Sequence, residues 1–127
     1  MVFSFYMDSG TAESGSYLTF PKSIANVGNM FDGDTSTFTC PHNGYYEFTF
    51  MGSVETDSPE GEAVVEIDKN GEKVMRFLDQ RDDSLMSFTW IMKLSVGDKI
   101  RLYLYLGKIF RDMYHHSFFN GMLLNTV

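Results

Sequence analysis

Cysteine is almost missing from this chain. Cys40 is the only one in 127 residues, so no disulfide can close within the chain and the fold must rest on its apolar core. A lone thiol in an apolar strand reads as a small buried hydrophobe, and it leaves the redox compartment undecided. Basic residues are scarce too: ten Lys and Arg stand against seventeen Asp and Glu, a formal charge of −7. No run of Lys or Arg makes a patch that could draw in a phosphate backbone, so direct binding of nucleic acid is not expected. No stretch approaches the roughly 20 apolar residues that span a bilayer, and membrane insertion is not expected either. The N-terminus lacks a basic region followed by an apolar segment and a cleavage site. Met1 instead runs straight into the strand-like Val2-Phe3-Ser4-Phe5-Tyr6-Met7, as expected of a domain excised from a longer parent.

Catalytic patterns are missing as well. There is no G-x-S-x-G, no phosphate-cradling glycine loop and no carboxylate pair set apart in apolar surroundings. Cys40 and His42 lie two residues apart at a strand-to-turn junction, with nothing to orient the base, and nothing recommends an enzyme. No window holds a helical stripe, and no repeat, low-complexity segment or interdomain linker divides residues 1–127, so one domain is expected.

What is abundant is aromatic and alternating. Twelve Phe and seven Tyr bring the aromatic share to 16%, and large rings favour pleated, half-buried surfaces. Between Gly44 and Val54 one face reads Tyr46, Phe48, Phe50, Gly52, Val54 and the other Tyr45, Glu47, Thr49, Met51, Ser53, which predicts a strand with one buried face. Met86, Phe88, Trp90, Met92 and Leu94 predict a second long strand, ending at the turn Val96-Gly97-Asp98. Ile100, Leu102, Leu104 and Leu106 follow with Arg101, Tyr103 and Tyr105 opposite, and the two segments read as a hairpin. Asn70-Gly71 can supply the positive φ angles of a tight turn between strands at 63–67 and 73–78. Residues 118–124 are apolar on both faces apart from Asn120, as expected of a central strand or one at a subunit interface. Loops are expected at 8–16, 32–36, 55–62, 80–84 and 107–116. The whole predicts an all-β sandwich or jelly roll of about ten antiparallel strands.

Phe20, Asn26, Phe31, Phe38, Gly44, Tyr46, Phe48 and Phe50 stand at the spacing F-x5-N-x4-F-x6-F-x5-G-x-Y-x-F-x-F, which resembles the C1q-domain signature. Val2-Phe3-Ser4 resembles the family's opening strand, Lys69-Asn70-Gly71 its central hairpin and Val96-Gly97-Asp98 its later turn. The segment from Ser117 to Leu124, with Phe119 and Gly121, is similar to its closing strand. Met122 departs from the family's usual aromatic and Cys40 from a common small residue, and no collagen-like Gly-X-Y stalk precedes the domain. Tyr46, Phe48 and Phe50 share one strand face, with Phe20, Phe31 and Phe38 able to fill the space opposite. Gly44 and Gly121 read as positions where a side chain would collide or a turn needs positive φ.

The resemblance implies a C1q/TNF-like jelly roll that forms a homotrimer, secreted and extracellular, with Tyr6, Tyr103 and Tyr105 as candidate interface residues. Three copies would carry three times −7, or −21, and should welcome cations where carboxylates converge. Asp79 and Asp83 lie where several family members carry calcium-binding aspartates, which makes calcium the candidate cofactor. His42, His115 and His116 read as surface loop residues, since adjacent residues on an extended chain make a poor chelate. The implied function is multivalent recognition of a protein or glycan ligand. The alternatives are a trimerisation module of a matrix or collagen-like protein, or the terminal module of a cytoplasmic RNA-associated protein.

Overall fold

The computed structural model describes residues 1–8, 11–55, 61–79, 85–110 and 117–127, with the backbone alone at 11 and 110. Thirteen strands occur among them and no helix. In chain order they are β1 (Val2–Tyr6), β2 (Thr11–Glu13), β3 (Ser16–Tyr17), β4 (Lys22–Val27), β5 (Phe31–Asp32), β6 (Thr37–Thr39) and β7 (Gly44–Glu55). There follow β8 (Ala63–Lys69), β9 (Glu72–Asp79), β10 (Leu85–Leu94), β11 (Lys99–Leu106), β12 (Lys108–Phe110) and β13 (Phe118–Thr126).

All pairings are antiparallel and fall into two sheets. The first runs β4-β1-β13-β7-β10, with β12 on the overhanging end of β7 and β2 beyond it. The second runs β5-β6-β11-β8-β9, with β3 also on β11. The expected hairpin of residues 85–94 with 100–106 does not form: β10 pairs with β7 and β11 with β8, in different sheets. The turn between them is there, with Gly97 at φ 91°, but it carries the chain across the sandwich. Alternation marks a half-buried strand without naming the sheet it joins, so the sequence signal is identical in both cases. The Asn70-Gly71 turn has the expected geometry, φ 56° and 91°, and joins β8 to β9 as a true hairpin.

Between the sheets lies an aromatic core. Phe20, Phe31, Phe38, Tyr46, Phe48, Phe50 and Phe119 are all buried, together with Phe3 and Phe5 from β1. Phe3 stacks on Phe31 (4.8 Å) and meets Phe119 edge-on (5.2 Å), arrangements that add to the gain from burial. Two glycines make room for this packing. A Cβ on Gly121 would drive into the Phe3 ring, and one on Gly44 into the Asn125 carbonyl. Asn26 serves the backbone instead: its Nδ2 donates to the Phe31 carbonyl (2.9 Å) and its Oδ1 accepts from Phe31 N–H (3.4 Å), tying β4 to β5. Cys40 is buried, its thiol donating to the His42 carbonyl (3.1 Å).

On one side β9 and β10 each end their sheet with an unpaired edge. There Phe77 stacks on Phe88 (4.4 Å) and leans on Trp90 (5.3 Å), so side chains close the gap between sheets.

Candidate functional site

Alternation within each strand makes two outer faces, and they differ in kind. On the first sheet the strand register aligns Val2, Met122, Glu47 and Ile91 in one row across β1, β13, β7 and β10. Ser4, Asn120, Thr49 and Thr89 form the next row, then Tyr6, Phe118, Met51 and Ser87. Val2, Tyr45, Ile91, Met122 and Leu124 are exposed here, and Ile24 and Val27 on edge strand β4 are 68% and 61% exposed. A shallow groove of about 260 Å³ runs over Val2, Ala25, Glu47, Asn120 and Met122. Within it the Asn120 side-chain oxygen is buried and has no hydrogen-bond donor. The face thus carries exposed apolar side chains on either side of a polar row that holds an unsatisfied buried acceptor.

The second sheet's outer face is covered by its own side chains. Tyr17 Oη donates to Asp68 Oδ2 (2.6 Å), and Lys73 Nζ donates to the same oxygen (3.1 Å) and to Tyr17 Oη (3.0 Å). Gly71 N–H donates to Asp68 Oδ1 (2.8 Å). Burial would raise the Asp68 carboxyl, but the Tyr17, Gly71 and Lys73 donors together outweigh it and hold it below its ordinary value. The Tyr17 hydroxyl, then Asp68, pushes Lys73 upward. Beside this cluster, Arg76 gives Glu66 Oε2 two hydrogen bonds (3.1 and 2.7 Å). Tyrosine rings and cations interleave: Arg101 lies 3.9 Å from the Tyr17 ring centre, Lys73 4.6 Å from that of Tyr103, and Arg76 4.6 Å from that of Tyr105.

The three tyrosines singled out as interface candidates are therefore not one patch. Tyr6 lies on the apolar face, whereas Tyr103 and Tyr105 belong to the cation-covered face of the other sheet. Tyr105 is the extra residue of a bulge, since Leu104 and Leu106 pair with consecutive Val65 and Val64. Sequence reasoning passed over Tyr17, whose strand is two residues long and whose partner Asp68 lies 51 residues away.

Asp79 ends β9 opposite Ala63 and is buried. Asp83, His115 and His116 lie outside the described residues. Among the described residues no three His, Cys, Asp or Glu gather as a metal-holding set, so a Ca²⁺ shell of six to eight oxygens would need more than Asp79. His42 is exposed, and its backbone works rather than its ring: Tyr46 Oη donates to the His42 carbonyl (2.6 Å). Among the described residues no helix is long and apolar enough to cross a membrane.

The C1q-domain family model matches residues 2–124. The chain belongs to the C1q-domain family. Its fold agrees with that assignment. The globular domain of zebrafish complement 1qA protein superposes with a TM-score of 0.76 at 21% identity, covering 99% of this chain and 98% of that one. The Eiger TNF of S. frugiperda gives 0.75 at 10% identity, covering 100% of this chain and 94% of that one. At such identities the likeness is one of fold, and it makes this C1q domain an antiparallel jelly roll of the C1q and TNF type. As a member of that family it is a C1q-like recognition or trimerisation module.

Proposed function

We propose that this C1q domain is a non-catalytic, extracellular recognition module that assembles as a homotrimer through the apolar outer face of its first sheet. The observation that carries this reading is the contrast between the two faces. One covers its tyrosine rings with cations and pairs its carboxylates Asp68 and Glu66 within the chain, while the other exposes Ile91, Met122, Val2 and Tyr45 around the donorless Asn120 oxygen. Self-association would bury those groups and supply a donor. Trimers formed by C1q and TNF-like family members support three copies around one axis. A protein or glycan ligand would then meet three copies of the loops and of the second sheet, and avidity replaces a deep pocket. The family is generally extracellular and non-enzymatic, which supports the setting. Calcium belongs to the same reading, held by Asp79 and Asp83 from several copies near the axis. If no ligand engages the outward surfaces, the same assembly is a trimerisation device.

Sedimentation velocity at micromolar chain concentration tests the assembly. The expected mass is three times the 14.5 kDa chain, falling to one chain in an Ile91→Lys, Met122→Lys variant that keeps its β circular dichroism. A wild-type monomer with calcium present, or a variant that still assembles, refutes the proposed face.

A further inference from the structure

We propose that Arg101 and Lys99, on the outer face of the second sheet, form a binding site for a doubly charged tetrahedral oxyanion, a sulfate or phosphate group. The site lies on the sheet opposite the proposed assembly face and does not depend on the trimer.

The argument starts from register. Along β11, Lys99 and Arg101 face outward while Ile100 and Leu102 are buried. Arg101 stands directly across from Asp68 on β8, the carboxylate that should neutralise it. Asp68 is already engaged on both oxygens, by Tyr17 and Lys73 on one and Gly71 N–H on the other. Among the described residues Arg101 meets no carboxylate within 4 Å, and its buried Nε has no acceptor. Its guanidinium carbon instead lies over the Tyr17 ring, 3.9 Å from the centre. Among the described residues Lys99 Nζ meets only the Thr39 hydroxyl, at 3.3 Å. The neighbouring carboxylate of Asp98 is taken by Ser95 N–H, Asn70 Nδ2 and Lys69.

Two cations are thus left over in one corner of a chain whose net charge is −7. Lys73 balances Asp68 and Lys69 balances Asp98, and the remaining pair matches the charge of one dianion. Arg101 and Lys99 line a groove of about 430 Å³ with Tyr17, Thr37, Asn70, Gly71 and Asp68, the last neutralised by Lys73, and it has room enough for a tetrahedral anion. Asp32, across Thr37 on the far side of β6, marks the edge of the positive corner. Stacking on Tyr17 holds the guanidinium fork in place before an anion arrives, which reduces the ordering cost of binding. An oxyanion would accept from the terminal guanidinium nitrogens, which unlike Nε are not shut away from solvent, in charge-assisted hydrogen bonds.

Heteronuclear NMR tests this directly on ¹⁵N-labelled protein, following the Arg101 Nε–Hε group and the Asn70 and Gly71 amides. Sodium sulfate and sodium phosphate are titrated against sodium chloride at equal ionic strength. The expected result is a saturable shift with sulfate and phosphate and none with chloride. Arg101→Gln and the exposed Lys99→Gln should each weaken binding by about tenfold, as lost charge-assisted bonds do, while Lys93→Gln on the other sheet leaves it unchanged. Shifts that fail to saturate, that chloride reproduces, or that survive undiminished in both variants overturn the site. Glucose 6-phosphate, whose phosphate ester is doubly charged above neutral pH, then separates the sources: tighter binding than inorganic phosphate assigns the group to a saccharide, and equal or weaker binding assigns it to the free ion.

Discussion

Gly121→Ala sets two effects of opposite sign against each other. Gly121 sits mid-strand in β13 without a positive φ, so alanine fits the backbone and its lower unfolded-state entropy should stabilise by roughly 0.5–1 kcal/mol. Against this, the new methyl would overlap the Phe3 ring edge and come within 2.7 Å of its Cζ. That ring cannot swing aside, since Phe31, Phe38 and Phe119 hold it at 4.8, 5.7 and 5.2 Å. Overpacking of such a site costs about 1–3 kcal/mol, and more where neighbours are as fixed as these. The clash wins, and urea unfolding at fixed chain concentration should show a net loss of roughly 1 kcal/mol and at most about 2.5, the overpacking cost less the entropic gain. The decisive arm is a second background. Phe3→Leu removes the two clashing ring atoms and leaves a branch near Cδ1, 3.1 Å from the added methyl. There Gly121→Ala should be neutral or slightly stabilising. An equal cost in both backgrounds would mean that the ring is not what the glycine makes room for.

Acid should act through Asp68 and Asp98, whose carboxyls are both held below their ordinary value. Their contribution is complete above about 3.8, the unfolded value, and disappears as pH falls through the lower folded values. Thermal melts below pH 4 should therefore lose stability more steeply in the wild type than in Asp68→Asn, and equal slopes would refute this. Burial, then the Cys40 side chain, pushes Tyr46 up to about 12, so ultraviolet titration should show a late ionisation step near that pH. Tyr46→Phe should remove that late step, and a late step that persists would refute the assignment. For calcium, a chelator should lower the melting temperature and Asp79→Ala should abolish the difference; melts that coincide with and without chelator count against the site.

Much of the fold was legible because rings at period 2 dictate one buried face. Tyr46, Phe48 and Phe50 had to share a wall, and Asn70-Gly71 had to turn. Sheet membership was not legible, because β10 and β11 alternate identically whether they pair together or cross the sandwich. The strands β2 and β12 fell in expected loops, since their pairing depends on the overhang of β7 and on no pattern of their own. Outward tyrosines were recognised as outward, but alternation cannot say what covers them. Tyr103 and Tyr105 lie under Lys73 and Arg76 from β9, and Tyr17 enters from a distant segment. The leftover charge of Arg101 is likewise a fact of competition for Asp68, visible only when four strands are assembled.

On the side of the sandwich shut by Phe77 against Phe88, the edge strands β9 and β10 do not pair with each other and side chains alone bridge the sheets. Trp90, the one indole of the chain, lies directly behind that seam. Its emission is consequently a built-in gauge of the first parting of the two layers: water entering at β9 and β10 reddens the fluorescence while rings deeper in the barrel stay dry.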